Sequence, residues 1–381
     1  MLKRFEVRNY KNFKNTLILD LSDVSNYQYN SDCISNKMIS KGIIYGKNAV
    51  GKTNLGRAIF DIHKLLIGLD GNDRGLYLNA DSTEDVAVFK YVFLIDDHEI
   101  TYEYSKRSVI GLVNEKLTLD SQVLYILDYV QKRFVEKRLD IINADTLQVN
   151  NYFKALGELE NNPDEDITIL PFLRYLFYNT ALLSDSIIKK LERFIMGMRL
   201  NVVNTRNNPL MNYSRRVEYL SDKQHLDEFQ EFLNDAGVDC KLSIDELTDG
   251  SKELSFDYKK KIPFLETASS GTKAIMNIFF NLKAASRRLS FLYFDEFDAF
   301  YHYEMSDFIV NYFKKYQPNT QVLFTTHNTN LMNNQIMRPD CLFILSSHGT
   351  LTPLRDATER ELREGHNLEK LYIAGEFQKY E

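Results

Sequence analysis

The feature that most constrains the fold is the eight-residue segment 46–53, which reads GKNAVGKT. It fits the phosphate-loop pattern G-x-x-x-x-G-K-[ST]. The apolar residues 43–45 before it predict a short buried strand. After it, apolar residues recur at helical spacing, at Leu55, Ile59, Ile62, Leu65 and Leu66. Strand, loop and helix form the context that the motif requires, so the sequence predicts a nucleotide-binding α/β fold.

The residues of this loop have distinct predicted roles. Gly46 and Gly51 let the backbone bend so that consecutive N–H groups surround the phosphates. Lys52 is predicted to reach the β- and γ-phosphates, and Thr53 to hold Mg²⁺ through its hydroxyl. The predicted nucleotide-binding residues are Gly46, Lys47, Asn48, Ala49, Val50, Gly51, Lys52, Thr53 and Asn54. The alternative is an accidental glycine turn before a helix.

Two adjacent carboxylates, Asp295 and Glu296, follow the almost continuous apolar run 289–294. Such a run is typical of a strand that is buried on both faces. Open α/β sheets bind ligands at the carboxyl ends of their strands, and carboxylates there are costly unless they face a cation. We interpret Asp295 as a Mg²⁺ ligand and Glu296 as the general base for an attacking water. The alternative is an acidic turn that closes a core strand.

A second buried strand is predicted at residues 322–324, and the polar residues 325–328 follow it. His327 lies among them, at the same kind of strand end as the two carboxylates. An imidazole there could hydrogen-bond the γ-phosphate and sense hydrolysis. A lone histidine is more often structural than catalytic, so both interpretations stay open at this point.

Five small or polar residues, 269–273, precede an apolar helical face that is formed by Ile275, Ile278, Phe279 and Leu282. Ser270 could cap this helix, because a serine hydroxyl accepts a backbone N–H of the first turn. A cap does not explain the glycine and threonine that follow. The open N–H groups and the helix dipole also make such a terminus an anion site.

The order of these motifs resembles that of an ABC-type ATPase. The chain is similar to the group of SMC heads, RecF-like repair proteins and overcoming-lysogenization-defect proteins, and above all to stand-alone ATPases of abortive-infection and retron-like phage defence. The resemblance covers about residues 1–120 and 265–381. SSGTK resembles the family signature, with Thr272 where transporters carry a second glycine. FDEFDAFYH resembles its D-E-x-x-x-x-L-H ending, with Tyr301 replacing the leucine.

The resemblance implies a composite active site. Ser270 and Gly271, with Thr272 beside them, would contact the γ-phosphate of ATP held by another subunit's phosphate loop. A homodimer or higher oligomer would therefore close around ATP and Mg²⁺. Lys11 and Asn12 match the family's basic-small pair after the opening strand and are also expected at the nucleotide.

The implied fold is an α/β ABC-ATPase head, with a mixed sheet that has central parallel strands, an antiparallel β lobe and a helical insertion. Expected boundaries are 1–150 for the nucleotide-binding lobe, 151–255 for a mainly helical insertion, and 256–381 for the lobe that completes the ATPase domain. Residues 86–95 and 99–104 predict a β-hairpin in the antiparallel lobe. Residues 170–235 have a helical pattern.

The implied function is ATP hydrolysis that controls a separately encoded effector, a nuclease or another toxin, in bacterial antiphage defence. Too few residues follow His327 for the nuclease domain of full-length overcoming-lysogenization-defect proteins. One alternative is a repair or recombination ATPase that acts directly on DNA. Another is a scaffold that binds ATP and barely hydrolyses it.

A group of basic residues in the middle of the chain leaves nucleic-acid binding open. The alternative is a solvated helix face or a protein contact. The group comprises Lys189, Lys190, Arg193, Arg199, Arg206, Arg215 and Arg216.

The bulk composition indicates a cytoplasmic protein. The net charge is -6 and the three cysteines are widely spaced, which favours a reducing compartment without a disulfide framework. No segment approaches the ~20 apolar residues that span a bilayer, so no membrane association is expected.

Overall fold

The computed structural model describes residues 1–68, 77–108, 111–160, 170–202, 213–285, 289–299 and 303–381. The strands are β1 Leu2–Arg8, β2 Leu17–Asp20, β3 Ile34–Ser35, β4 Met38–Ile39, β5 Lys41–Tyr45, β6 Ala87–Ile95, β7 His98–Lys106, β8 Leu112–Leu119, β9 Gln122–Asp128, β10 Arg133–Lys137, β11 Met198–Val202, β12 Leu242–Glu246, β13 Lys252–Asp257, β14 Lys261–Pro263, β15 Phe291–Asp295, β16 Gln321–Thr326, β17 Leu342–Leu345 and β18 Leu351–Pro353.

Helices lie between these strands along the chain and after the last of them. They are α1 Lys52–Ile59, α2 Asp61–Ile67, α3 Val149–Glu160, α4 Phe172–Asn179, α5 Ile187–Met196, α6 Tyr213–Tyr219, α7 Lys223–Asp235, α8 Phe264–Thr267, α9 Ser270–Ala285, α10 Tyr303–Tyr316 and α11 Leu368–Ile373. No helix in the described ranges is both long enough and apolar enough to cross a membrane.

A six-stranded sheet with the order β11-β15-β16-β5-β17-β18 forms the centre of the fold. Its strands from β11 to β17 run parallel, and β18 is antiparallel to β17. The strands β5, β15 and β16 are buried along their whole length, as their apolar sequences predict. Because these three strands are adjacent and parallel, the segments that follow them meet at one edge of the sheet.

A second sheet of seven antiparallel strands has the order β10-β9-β8-β7-β6-β1-β2. The predicted hairpin is confirmed, since β6 pairs with β7 along nine residues. Asp96 and Asp97 at its turn have φ of 50° and 65°, the left-handed values that a two-residue hairpin turn requires. The mixed α/β fold, with central parallel strands and an antiparallel sheet, is thus the predicted one.

A buried ion pair fixes α2, the second helix after the phosphate loop, to the antiparallel sheet. Asp61 at the start of α2 accepts a hydrogen bond from Lys106 of β7 at 3.0 Å, and both side chains are almost fully buried. Tyr104 and Tyr77 also donate to this carboxylate. Removing one partner of such a pair typically costs about 3–5 kcal/mol, because it leaves a buried charge uncompensated.

The helical pattern expected for residues 170–235 is wrong at β11. Met198–Val202 instead forms an edge strand of the six-stranded sheet and pairs in parallel with β15. Five residues are too few for periodicity to distinguish a strand from a helix, and the pairing partner lies far along the chain. The division at residues 150 and 255 stays a prediction, and β11 shows that the middle segment contributes to the central sheet.

Candidate nucleotide-binding site

The predicted phosphate loop lies between β5 and α1. Ala49 and Gly51 have φ of 66° and 110°, and such left-handed residues let successive N–H groups turn toward one point. Lys47, Asn48 and Ala49 are exposed, whereas Val50 is buried. The loop geometry therefore agrees with a phosphate cradle.

Asn12 supports this loop from the turn after β1. Its Nδ2 donates to the carbonyl oxygen of Val50 at 2.9 Å, and Asn54 Nδ2 donates to its Oδ1 at 2.8 Å. A Cβ at Gly51 would lie 2.2 Å from Asn12 Nδ2, so this contact requires glycine there. The structure thus places Asn12 at the loop, and residue 54 beside it.

Lys11 adjoins Asn12 and contacts the aromatic residues Tyr77 and Tyr10. Its backbone N–H donates to the Tyr77 carbonyl at 3.0 Å, and its ammonium lies 5.7 Å from the centre of the Tyr10 ring. A direct role of Lys11 and Asn12 at the nucleotide stays a prediction.

Lys52 is 4% exposed and lies at the start of α1. Its Nζ donates to the carbonyl oxygens of Gly46 at 2.7 Å and Lys47 at 3.0 Å. Burial lowers the pKa of Lys52, and the charges of Glu296, Asp295 and Asp298 partly oppose this effect. The carboxylates at the end of β15 and just after it therefore lie within electrostatic range of the phosphate-loop lysine.

The two predicted metal ligands are in direct contact. Thr53 Oγ1 donates to Asp295 Oδ2 at 2.6 Å, and Thr325 Oγ1 donates to Asp295 Oδ1 at 2.8 Å. Asp295 is 2% exposed. The sequence separates Thr53 and Asp295 by more than two hundred residues, and the adjacent strands β5, β16 and β15 bring them together.

Glu296 follows Asp295 with a left-handed φ of 45°. Its backbone N–H donates to Thr325 Oγ1 at 2.8 Å, and its side chain is half-buried. A non-glycine residue in this conformation costs about 1–3 kcal/mol, and such strain concentrates at active sites. The bend directs the chain away from β15 immediately after the metal-ligand candidate.

His327 has an exposed side chain just beyond β16. Before it, Thr326 Oγ1 accepts a hydrogen bond from the Asn328 N–H at 2.8 Å. The structure thus places His327 at the same sheet edge as Asp295 and Glu296. Its role at the γ-phosphate stays a prediction.

The signature-like segment, residues 269–273, leads into α9, and the residue that caps this helix differs from the predicted one. Ser269 Oγ accepts the Thr272 N–H at 3.0 Å, so Ser269 is the capping residue and the interpretation of Ser270 as a cap is wrong. Ser270 lies at the first helical position with an exposed side chain, whereas Gly271 and Thr272 are buried. Two consecutive serines cannot be distinguished as caps by pattern alone.

Residues 43–333 match a protein family described as an AAA domain, putative AbiEii toxin, of a Type IV TA system. The chain belongs to this AAA-domain family. It is accordingly an ATPase, and the predicted relation to abortive-infection ATPases is confirmed.

Solved structures with a similar chain path include SMC head domains. The SMC head domain from Thermotoga maritima has 16% sequence identity and a TM-score of 0.46, over 92% of this chain and 98% of that one. The Smc head domain with a coiled coil and joint from Pyrococcus yayanosii has 12% identity and a TM-score of 0.47, over 98% and 99%. No curated protein matches the chain in sequence.

In this AAA-domain ATPase the donor set fits Mg²⁺. The Thr53 hydroxyl and the Asp295 carboxylate are hard oxygen donors that already lie 2.6 Å apart, and Mg²⁺ prefers one or two such protein ligands together with phosphate oxygens. These two side chains would hold the ion.

One contact of the ATPase's phosphate loop was not predicted by any motif in the sequence. Lys47 Nζ lies 2.6 Å from Glu381 Oε2. Burial opposes ionisation of Glu381, but the Lys47 ammonium and the Tyr372 hydroxyl together hold the pKa of Glu381 below its usual value. Glu381 therefore contacts the phosphate loop, and Tyr372 contacts Glu381, which a local pattern could not reveal.

The basic residues on α5 of the ATPase bind oxygen atoms of the protein itself. The pairs are Lys189 with Glu192 and the Phe177 carbonyl, Lys190 with Asp96, and Arg193 with the Ser184 carbonyl. Arg199 likewise donates to the Met198 carbonyl at 2.6 Å. Arg206 and Tyr301 lie outside the described residues. These contacts favour the alternative interpretation of α5, as a solvated helix face.

A triple replacement of Lys189, Lys190 and Arg193 by alanine should leave nucleic-acid binding unchanged. If these side chains contacted nucleic-acid phosphates, the magnitude of the slope of log affinity against log salt concentration would fall by roughly 0.9 for each lost contact. Anisotropy titrations of a labelled duplex and a labelled single strand at several salt concentrations would measure it. A reduced slope would instead assign a nucleic-acid face to α5.

Proposed function

We propose that this ATPase closes a homodimer or higher oligomer around ATP and Mg²⁺, and that the closed form controls a separately encoded effector in antiphage defence. The observation that carries the chemical part is the contact between Thr53 and Asp295, with Glu296 directly after it. It joins the phosphate loop to the acidic strand end in the manner that phosphoryl transfer to water requires.

Each residue has a proposed task in this reaction. Lys52 exchanges its contacts with the loop carbonyls for oxygens of the β- and γ-phosphates. Glu296 accepts a proton from the attacking water, and His327 hydrogen-bonds the γ-phosphate. Mg²⁺, when bound, would neutralise charge on the β- and γ-phosphate oxygens.

The start of α9 supports the composite site. The Ser269 cap leaves the Ser270 hydroxyl exposed at the first turn, where a second subunit's phosphate could meet it. The positive end of a helix of sixteen residues favours an anion at that position.

The defence role is supported by the family, whose description names a putative toxin of a toxin–antitoxin system. A nuclease or other toxin would be the controlled partner, and the reducing cytoplasm would be the compartment. The three cysteines are all free and buried, in agreement with such a compartment. Purification of the protein with its partners from the native operon tests this part, and absence of an effector there would count against it.

Lys52→Ala should weaken ATP binding about 10- to 100-fold, because a hydrogen bond to a charged group contributes about 1.5–3 kcal/mol. Isothermal titration with a non-hydrolysable ATP analogue would measure the loss. Lys14→Ala, which changes an exposed lysine of the loop between β1 and β2, is the matched control. Unaltered affinity in Lys52→Ala would remove this lysine from the nucleotide site.

A further inference from the structure

Two adjacent threonines at the end of β16 connect the segment after β15 to the segment that carries His327. The Thr325 hydroxyl donates to Asp295 Oδ1 at 2.8 Å and accepts the Glu296 N–H at 2.8 Å. The Thr326 hydroxyl donates to Asp298 Oδ2 at 2.7 Å and accepts the Asn328 N–H at 2.8 Å. Each hydroxyl therefore joins one carboxylate to one backbone N–H.

The second carboxylate, Asp298, has no task in the reaction described above. It is 8% exposed, and its Oδ1 is buried without a hydrogen bond to any described residue. Both oxygens of Asp295, by contrast, have hydroxyl donors. A carboxylate buried in this way is costly, and its charge, like those of Glu296 and Asp295, acts on Lys52. Its location and its incomplete pairing indicate a function beyond packing.

We propose that Asp298 is a positioning residue for ATP hydrolysis that acts through Thr326. The carboxylate can only accept, so the Thr326 hydroxyl must donate to it and turns a lone pair toward the Asn328 N–H. This arrangement fixes the backbone on both sides of His327 relative to the segment that begins at Glu296. The inference rests on the proposed roles of Glu296 and His327.

The physical reason for such a connection is that the two groups lie on separate segments beyond separate strands. Hydrolysis requires both at one γ-phosphate, and a misplacement of 1 Å can reduce a rate about 100-fold. The phosphate loop, by contrast, is held by Asn12 and by the contact of Thr53 with Asp295. Loss of the Thr326 contact should therefore affect the chemical step and leave ATP binding intact.

The test uses full-length Thr326→Val, which removes the hydroxyl and keeps the shape, and Thr326→Ser, which restores it. We expect kcat of Thr326→Val to fall about 10- to 100-fold, with the affinity for a non-hydrolysable ATP analogue within about twofold of wild type. Thr326→Ser should hydrolyse ATP at close to the wild-type rate. Asp298→Ala should reproduce this loss of kcat. The double variant, Thr326→Val with Asp298→Ala, should have a kcat no lower than either single variant, because both substitutions remove the same hydrogen bond.

Thr320→Val is the matched control. Thr320 is another buried threonine, immediately before the first residue of β16, and its hydroxyl donates to the Leu289 carbonyl at 3.1 Å. It should lower the thermal unfolding temperature while kcat stays unchanged. Equal losses of kcat in Thr320→Val and Thr326→Val would reduce the role to stability and overturn the proposal.

Two other results would also overturn it. One is an unchanged kcat in Thr326→Val, and the other is a fall of ATP affinity in parallel with kcat. If Thr326→Val does not fold, Asp298→Ala, which removes the acceptor and leaves the Thr326 hydroxyl in place, gives the same comparison of kcat and affinity. Failure of the proposed catalytic role of Glu296 can be distinguished from failure of this inference. It would appear as full ATPase activity in Glu296→Gln, whatever the kcat of Thr326→Val.

Discussion

Glu296→Gln should bind ATP as wild type does and lose nearly all hydrolysis. The amide keeps the size of the carboxylate but cannot accept the proton of the attacking water, and general-base catalysis contributes about 10²- to 10⁴-fold. The left-handed backbone at residue 296 and its N–H contact with Thr325 do not depend on the side chain. The local geometry should therefore survive the change.

Phosphate release and analogue titration, measured on the same preparation, separate the two effects. The ATP-bound oligomer should also persist in Glu296→Gln, and light scattering with and without ATP and Mg²⁺ would detect it. Glu246→Gln, at an exposed position that ends β12, controls for the loss of one charge. Wild-type turnover by Glu296→Gln would exclude this residue as the base.

Ser270→Asp should bind ATP at its own phosphate loop yet fail to close the oligomer and fail to hydrolyse. Two unit charges ~4 Å apart at an effective dielectric constant of ~20 repel by about 4 kcal/mol, which corresponds to roughly a thousandfold. The substitution leaves the Ser269 cap in place and adds an acid to the first turn of α9. An acid there favours the helix, so a loss of activity would not reflect unfolding.

Position 270 is a better site for this test than Gly271, which the signature also contains. Gly271 is buried within the subunit, so Gly271→Asp would bury a charge and disturb the fold. Ser270→Ala completes the series, because it removes the hydroxyl without adding a charge. It should reduce hydrolysis less than Ser270→Asp.

Mixing Ser270→Asp with Lys52→Ala should restore part of the activity. Each heterodimer then has one site with an intact phosphate loop and an intact signature, although neither variant is active alone. The double variant, Ser270→Asp with Lys52→Ala, should stay inactive when it is mixed with either single variant. No site in these mixtures combines an intact phosphate loop with an intact signature. Normal hydrolysis by Ser270→Asp alone would show that the start of α9 is not part of the site.

The sequence determined the parts of the protein whose signals are local and continuous. The phosphate loop was predictable because the pattern 46–53, its preceding strand and its following helix lie within one short stretch. The buried strands β15 and β16 were predictable from short apolar runs, with the Asp295-Glu296 pair and His327 directly after them. Short-range patterning of this kind reports burial and turns directly.

Only the tertiary structure decided which of these groups meet. The contact of Thr53 with Asp295, the support of Val50 by Asn12 and the pairing of β11 with β15 all join residues that are distant in the chain. The connection from Asp298 through Thr326 to Asn328 is of the same kind. A local pattern specifies which donor and acceptor groups a residue carries, whereas the partner of each group depends on the order of strands in the sheet. That order is set by packing of the whole chain.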